Sequence, residues 1–347
     1  MRALVCHRFG DYHELKVEDF PEPQLPPRGV RIAVEYASLS HSISLWVAGK
    51  YQVKPPLPFV PGAEVVGRVI ETAPEVTICR AGQRVLAIIG WGGYAEQAVS
   101  PESTVYPLPD AIDSAAALHL GVSYCTAYGG LLWRARLEPG QTLLVLGAAG
   151  GVGLAAVEIG RALGARVIAA AGGPEKCALA REHGADATID YKSEDLREAL
   201  RRLAPRGVDV VFDPLGGELS ETALRSLAPG GSLVTIGFAS GARPKIEPNI
   251  LLVKNVSVLG FNFGLYIGWS PVDERSRYES QVREVFRQLF DWHAAGKIRP
   301  LAAQAYPLER FSEALDALLG RRTVGKVVLA VAGAERINAP GWERRAE

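Results

Sequence analysis

The chain has no excess of either charge: 38 Lys and Arg face 38 Asp and Glu in 347 residues, a formal net charge of zero. With no basic run to restore it, the electrostatic footprint of a nucleic-acid binder is missing, and no nucleic-acid partner is expected. Long apolar runs are missing too. No stretch reaches the roughly 18 residues that a membrane helix needs, so no membrane partner is expected either. Met1-Arg2-Ala3-Leu4-Val5 reads as the start of a strand and not as a signal peptide, which predicts a cytoplasmic protein. Cysteine is scarce. Cys6, Cys79, Cys125 and Cys177 stand far apart and form no C-x-x-C pair. That excludes a zinc knuckle or a thioredoxin-like motif and predicts four buried or half-buried free thiols.

What is present is 48% hydrophobic residues, typical of a folded globular chain, at a length that favours two domains. Over residues 1–120, short β-rich runs (30–36, 64–69 and 83–89) alternate with Pro55-Pro56, Pro61-Gly62 and Gly90-Trp91-Gly92-Gly93. That rhythm predicts a mostly antiparallel β domain. Over 121–269 it changes. Apolar strands at 143–146, 166–170, 188–190, 209–212, 232–236 and 256–260 alternate with helical patterns at 152–163, 175–182, 194–203 and 219–227. Strands that are apolar on both faces, joined by helices, predict a doubly wound parallel sheet. Beyond 270, amphipathic helices at 279–293 and 311–319 precede a strand at 326–331. This tail, 270–347, is expected to complete the first domain, with a polar, frayed end at 338–347.

The first strand of the α/β region runs into Gly147-Ala148-Ala149-Gly150-Gly151-Val152-Gly153 and then a helix. Glycines let backbone approach a pyrophosphate, and a helix start offers N–H groups and a positive dipole end. The G-x-G-x-x-G fingerprint is met as A-x-G-x-x-G, and its place between strand and helix predicts dinucleotide binding. The second strand ends Ala169-Ala170-Ala171-Gly172-Gly173, without the carboxylate that accepts a ribose 2′-hydroxyl. That leaves room for a 2′-phosphate, and Lys176 either pairs with it as a point charge or is a solvated first-turn lysine. NADPH is the expected cofactor.

Several motifs together resemble the zinc-independent branch of the medium-chain dehydrogenase/reductase superfamily, the NADPH:quinone oxidoreductases. They are Gly49-Lys50-Tyr51, Leu57-Pro58-Phe59-Val60-Pro61-Gly62-Ala63-Glu64-Val65-Val66-Gly67, the 148–153 turn, Asp213-Pro214-Leu215-Gly216-Gly217 and Gly325-Lys326-Val327-Val328. The resemblance implies an α/β protein with a GroES-like β domain and a Rossmann domain, the active site between them, in a homodimer. It puts the pyrophosphate at Gly150, Gly151 and Val152, and the 2′-phosphate near Gly172, Lys176 and Tyr191. Thr126, Gly237, Phe238 and Asn262 would lie along the rest of the cofactor. Tyr191 can equally be an ordinary aromatic closing the third strand.

Zinc-bearing members ligate their metal with a Cys and the His of a Gly-His-Glu motif. Here those positions resemble Ser40 and Ala63, which cannot replace a thiolate and an imidazole, so no metal is expected. Glu64 is then a cleft carboxylate or a structural partner for backbone or arginine. A site without a Lewis acid suits acceptors that spread incoming charge themselves, such as quinones, or enones and enoyl thioesters as the alternative. Tyr51, a phenol protonated at neutral pH, matches the proton donor of related enoyl-thioester reductases. Ser40-His41-Ser42-Ile43 departs from the usual Asn-Phe-x-Asp, so Ser40 can bond the substrate oxygen and His41 competes as the acid. A cofactor-binding redox sensor with little turnover is the reading from another class. Trp46, Trp91, Phe261, Phe263, Tyr266 and Trp269 are candidates for a flat substrate slot, and 265–277 for a lid or a dimer contact.

Overall fold

The structure is a computed structural model that describes residues 1–331, so the expected frayed end at 338–347 lies outside the described residues. The described residues form two compact units: Met1–Val122 with Gly264–Phe286 and residues 301–331, and Ser123–Phe263 with Arg287–Pro300.

The first unit opens with β1 (Arg2–Val5) and β2 (Lys16–Asp19), an antiparallel pair. It continues through β3 (Gly29–Leu39), the short helix α1 (Ser42–Val47), β4 (Glu64–Thr72), β5 (Arg84–Ile88), β6 (Gln97–Pro101), β7 (Val105–Pro107) and α2 (Ser114–His119). Alternation in β3 sends Val30, Ile32 and Val34 into a core shared with Val65, Val69, Val85 and Ala87, as period-2 burial requires.

The second unit begins with α3 (Cys125–Tyr128), flanked by π-helical turns at Leu120–Tyr124 and Gly129–Arg134. Then β8 (Thr142–Leu146), α4 (Gly151–Ala162), β9 (Arg166–Ala171), α5 (Pro174–Glu182), β10 (Ala187–Asp190) and α6 (Leu196–Leu203) follow. β11 (Val208–Asp213), α7 (Gly217–Arg225), β12 (Leu227–Thr235), α8 (Pro248–Lys254) and β13 (Ser257–Gly260) complete the sheet. Its six strands are all parallel, in the order β10-β9-β8-β11-β12-β13. This is the doubly wound order 3-2-1-4-5-6, whose ligand crevice opens at the carboxyl ends of the strands flanking the reversal, here β8 and β11. The central strands are buried on both faces, which is why they read as unbroken apolar runs.

After α9 (Arg275–Ala294), β14 (Ala302–Pro307), α10 (Phe311–Leu319) and β15 (Lys326–Ala330) return to the first unit. Its main sheet runs β14-β15-β3-β4-β5-β7, with β6 also paired to β3. β14 and β15 are parallel and every other pair there is antiparallel. Two local readings are corrected. The helix expected at 219–227 ends at Arg225, and Leu227 already pairs with Val208, ahead of a register shift before Ser232. Arg287–Pro300 groups with the parallel-sheet unit and not with the β domain. Trp292 packs on Tyr128 there, and the Arg299 N–H donates to Glu158 at 2.8 Å. The Ser40–Ile43 stretch leads into α1, a helix too short to show periodicity.

Candidate functional site

At the end of β8 the chain turns through Gly147, φ +61, where a side chain would be strained. The Gly150 N–H donates to the Gly147 carbonyl at 3.0 Å, and Gly150, without a side chain, caps α4. Gly151 and Val152 form the first turn of α4. A Cβ on Gly153 would lie 2.2 Å from the Gly147 carbonyl oxygen, so α4 sits hard against the turn. The opposite wall comes from β11. Buried Asp213 takes the N–H groups of Leu215 and Gly216 on Oδ1 at 2.9 and 3.0 Å. Leu215 covers Gly147, while Phe238, beside Gly237 after β12, lies on Gly216. Bare backbone, a helix start and the switch point thus coincide, an arrangement that fits a dinucleotide pyrophosphate.

Next to it, the turns after β9 and β10 are tied together. Asp190 Oδ1 accepts the Gly173 N–H at 2.8 Å and the Lys192 N–H at 3.0 Å, and the Lys192 bond leads in holding this carboxyl below its usual pKa. A Cβ on Gly172 would meet the Tyr191 ring at 3.0 Å and Lys192 Cε at 3.2 Å. Gly172 and Tyr191 are therefore brought together as expected of neighbours, and Lys192 joins them. Sequence reasoning missed Lys192, although a lysine directly after the tyrosine was the available signal. It also missed that a carboxylate, absent from the end of β9, arrives in space from β10. Lys176 sits in the first turn of α5, behind Pro174.

Thr126 and Asn262 sit elsewhere in the same unit. Thr126 is buried in α3, which packs on α4, and Asn262 is exposed two residues past β13. The α3–α4 packing is fastened by buried Glu158. It accepts hydrogen bonds from the Tyr124 hydroxyl and the Arg299 N–H, and His183 Nδ1 lies 2.5 Å from its other oxygen.

In the first unit, Ser40 follows β3 and its hydroxyl shares a hydrogen bond with that of Ser42 at 2.9 Å. His41 caps α1. Its residue surface remains exposed, yet the protein around the ring, and then the Arg321 guanidinium, hold its pKa below the ordinary value. Tyr51 lies past the other end of α1, half-buried, with its ring 5.1 Å from that of Trp46. Burial pushes its phenol pKa up, so it stays protonated through neutral pH. Ser40 and His41 thus flank one end of α1 and Tyr51 the other.

Zinc does not fit these residues. Among the described residues no three His, Cys, Asp or Glu side chains come close enough to share an ion. Glu64, 1% exposed, is already bound: Oε1 accepts the Val122 N–H at 2.7 Å and Oε2 the Lys326 ammonium at 3.1 Å. Of the partners expected for a structural Glu64, backbone or arginine, it takes backbone, joined by a lysine. The Val122 N–H is available because the backbone breaks helical geometry at Gly121. A Cβ on that glycine would strike Glu64 Oε1. Cys6, Cys79, Cys125 and Cys177 are all buried.

Two family models match the chain: an alcohol dehydrogenase GroES-like domain over residues 26–110 and a zinc-binding dehydrogenase domain over 151–278. A quinone oxidoreductase-like protein 2 homolog of Nematostella vectensis is 38% identical over 334 residues, covering 94% of this chain and 88% of that protein. The quinone oxidoreductase of Thermus thermophilus, solved alone and with NADPH, is 34% identical with a TM-score of 0.81, covering 95% of this chain and 100% of that one. The Escherichia coli quinone oxidoreductase complexed with NADPH is 28% identical with a TM-score of 0.85, at the same coverages.

Proposed function

The chain belongs to the medium-chain dehydrogenase/reductase superfamily, in its quinone oxidoreductase family, and from that premise we propose an NADPH-dependent reductase that transfers hydride to a quinone without a metal. The carrying observation is the donor set: no metal-ligating cluster among the described residues, with Ser40 and Ala63 at the positions where the family resemblance puts zinc ligands. A reduction run this way needs an acceptor that delocalises its own negative charge, which a quinone does and a simple ketone does not.

NADPH bound to the second unit supplies the hydride. Gly150, Gly151 and Val152 hold its pyrophosphate on the α4 start, and Gly172, Lys176 and Tyr191 take the 2′-phosphate. Thr126, Gly237, Phe238 and Asn262 flank the remainder. The glycine cradle at Gly153 and the approach of Tyr191 and Lys192 to Gly172 support this assignment. Tyr51 keeps its phenolic proton and donates it toward the acceptor oxygen as charge builds there. Ser40 offers a second hydroxyl. The quinone gains a hydride and a proton and leaves as hydroquinone. His41, its pKa lowered, is neutral at pH 7 and the weaker donor.

We assign the protein to the cytoplasm, and no helix of the described residues is long and apolar enough to cross a membrane. A homodimer is supported by β13, which ends its sheet, and by Leu252 and Val253 on α8, each 78% exposed. NADPH oxidation against benzoquinones, naphthoquinones, enals and enoyl thioesters tests the reading. Turnover is expected with quinones. Turnover with enoyl thioesters alone replaces it by the double-bond reductase that a neutral Tyr51 also suits, and tight NADPH binding with no turnover makes the protein a sensor.

A further inference from the structure

Four aromatic rings of the first unit meet at one place. Trp46, 3% exposed, is the base. Its ring centroid lies 5.1 Å from Tyr51 with planes at 31°, 6.4 Å from Trp91 at 57° and 6.4 Å from Trp269 at 77°. These are offset and edge-on separations at which aromatic pairs attract. Trp269 belongs to the segment that the sequence leaves between a lid and a dimer contact, and here it is pinned twice. Its indole N–H donates to the Ile89 carbonyl at 2.7 Å, and its own carbonyl accepts from Gln52 Nε2 at 3.0 Å. With that N–H spent, Trp269 has no donor left for a ligand and can offer only its ring. Trp91, by contrast, is 40% exposed.

A core cluster hides its large rings. This one buries its base and leaves an indole at the rim in water, with that indole and the neutral phenol of Tyr51 both against Trp46. We propose that Trp46, Trp91 and Trp269 form the specificity-determining wall of the acceptor site, selecting planar aromatic acceptors over aliphatic ones of similar reactivity. The inference rests on the quinone-reductase reading and adds to it which residues choose the acceptor. A fused aromatic ring lies flat or edge-on against indoles held at these angles, whereas an aliphatic enal presents only a short conjugated system and no aromatic ring. Gln52 is then a positioning residue. It touches no acceptor but fixes Trp269.

Steady-state kinetics of Trp91→Leu, Trp91→Phe and Gln52→Ala test this with 1,4-naphthoquinone and with trans-2-hexenal. Binding of redox-inert 2-naphthol to the cofactor-free protein is measured in parallel by equilibrium dialysis. Trp91→Leu should raise the naphthoquinone KM and the 2-naphthol Kd by about three- to tenfold, with kcat and the NADPH KM changed less than about twofold. Hexenal parameters should not move, Trp91→Phe should restore most of the loss, and Gln52→Ala should give a smaller loss of the same kind. If quinones are reduced and the variants change nothing, or both acceptors suffer equally, the wall is refuted while the quinone reading stands. If no quinone is reduced but 2-naphthol binds and Trp91→Leu weakens it, the aromatic site stands and the quinone reading falls. Absence of both quinone turnover and 2-naphthol binding overturns the proposal.

Discussion

Two glycines three residues apart in the phosphate turn should fail in different ways. A methyl group on Gly153 would stand 2.2 Å from the Gly147 carbonyl oxygen, 2.8 Å from its carbon and 3.0 Å from Ala148 Cα. All three neighbours are backbone, so no side chain can swing aside, and α4 or the turn must move by roughly 0.8 Å to restore a 3.0 Å contact. Overpacking of this kind costs about 1–3 kcal/mol, or roughly 2–12 °C in Tm for a unit of this size. A methyl group on Gly150 meets nothing closer than 3.5 Å, at φ −81°, ψ 166°, an ordinary extended conformation. Gly150→Ala should cost less than about 1 kcal/mol, the scale of a Gly-to-Ala change at a helix cap. It nevertheless places a carbon where the pyrophosphate approaches. Thermal unfolding of the cofactor-free protein and fluorescence titration with NADPH separate the two effects. Gly153→Ala should lower Tm and weaken NADPH; Gly150→Ala should leave Tm near wild type and weaken NADPH by about tenfold or more. A stable Gly153→Ala protein, or a Gly150→Ala protein that binds NADPH normally, refutes the assignment of this turn.

Tyr51→Phe should cut kcat with quinone by about 10²-fold, the scale of a lost donor at a developing oxyanion; an unchanged kcat removes Tyr51 from the reaction. Because burial raises the Tyr51 pKa, the donor survives as pH rises, and the alkaline fall in kcat should lie above about pH 10. A fall with rising pH already complete below the ordinary histidine range would point to His41, whose pKa the protein around its ring lowers. Lys192→Ala and Lys176→Ala should each weaken NADPH more than NADH, and equal weakening of both excludes a phosphate contact. Lys326→Met leaves Glu64 buried with only the Val122 N–H, and should cost about 3–5 kcal/mol in urea unfolding. Adding Glu64→Leu should recover part of that cost, whereas two independent, additive losses would show that the pair is not coupled.

The parallel sheet was legible because its strands are buried on both faces and announce themselves as apolar runs: 143–146 against Thr142–Leu146, and 166–170 against Arg166–Ala171. What stayed hidden was short or non-local. α1 spans six residues, fewer than two turns, so it carries no period. The kink at Gly121 is set by a glutamate 57 positions earlier, and no local pattern signals it. The glycines of the pyrophosphate turn were readable because a strand–turn–helix junction restricts its residues locally. Asp190 was not, since its relevance depends on β10 lying beside β9, a pairing made only in three dimensions. Trp269 reached the aromatic group in the same way, through hydrogen bonds to residues about 180 and 217 positions away.

Both units close late. β15 lies between β14 and β3, pairing with Tyr36–Leu39, and Glu158 receives Arg299. As the ribosome releases this chain from its N-terminus, half of one edge of β3 stays bare until residue 330 has emerged, and the Glu158 carboxylate stays one donor short until residue 299 has. The nascent protein therefore carries an open sheet edge until residue 330 is out and a carboxylate short of one donor until residue 299 is, so neither unit becomes native before those residues emerge.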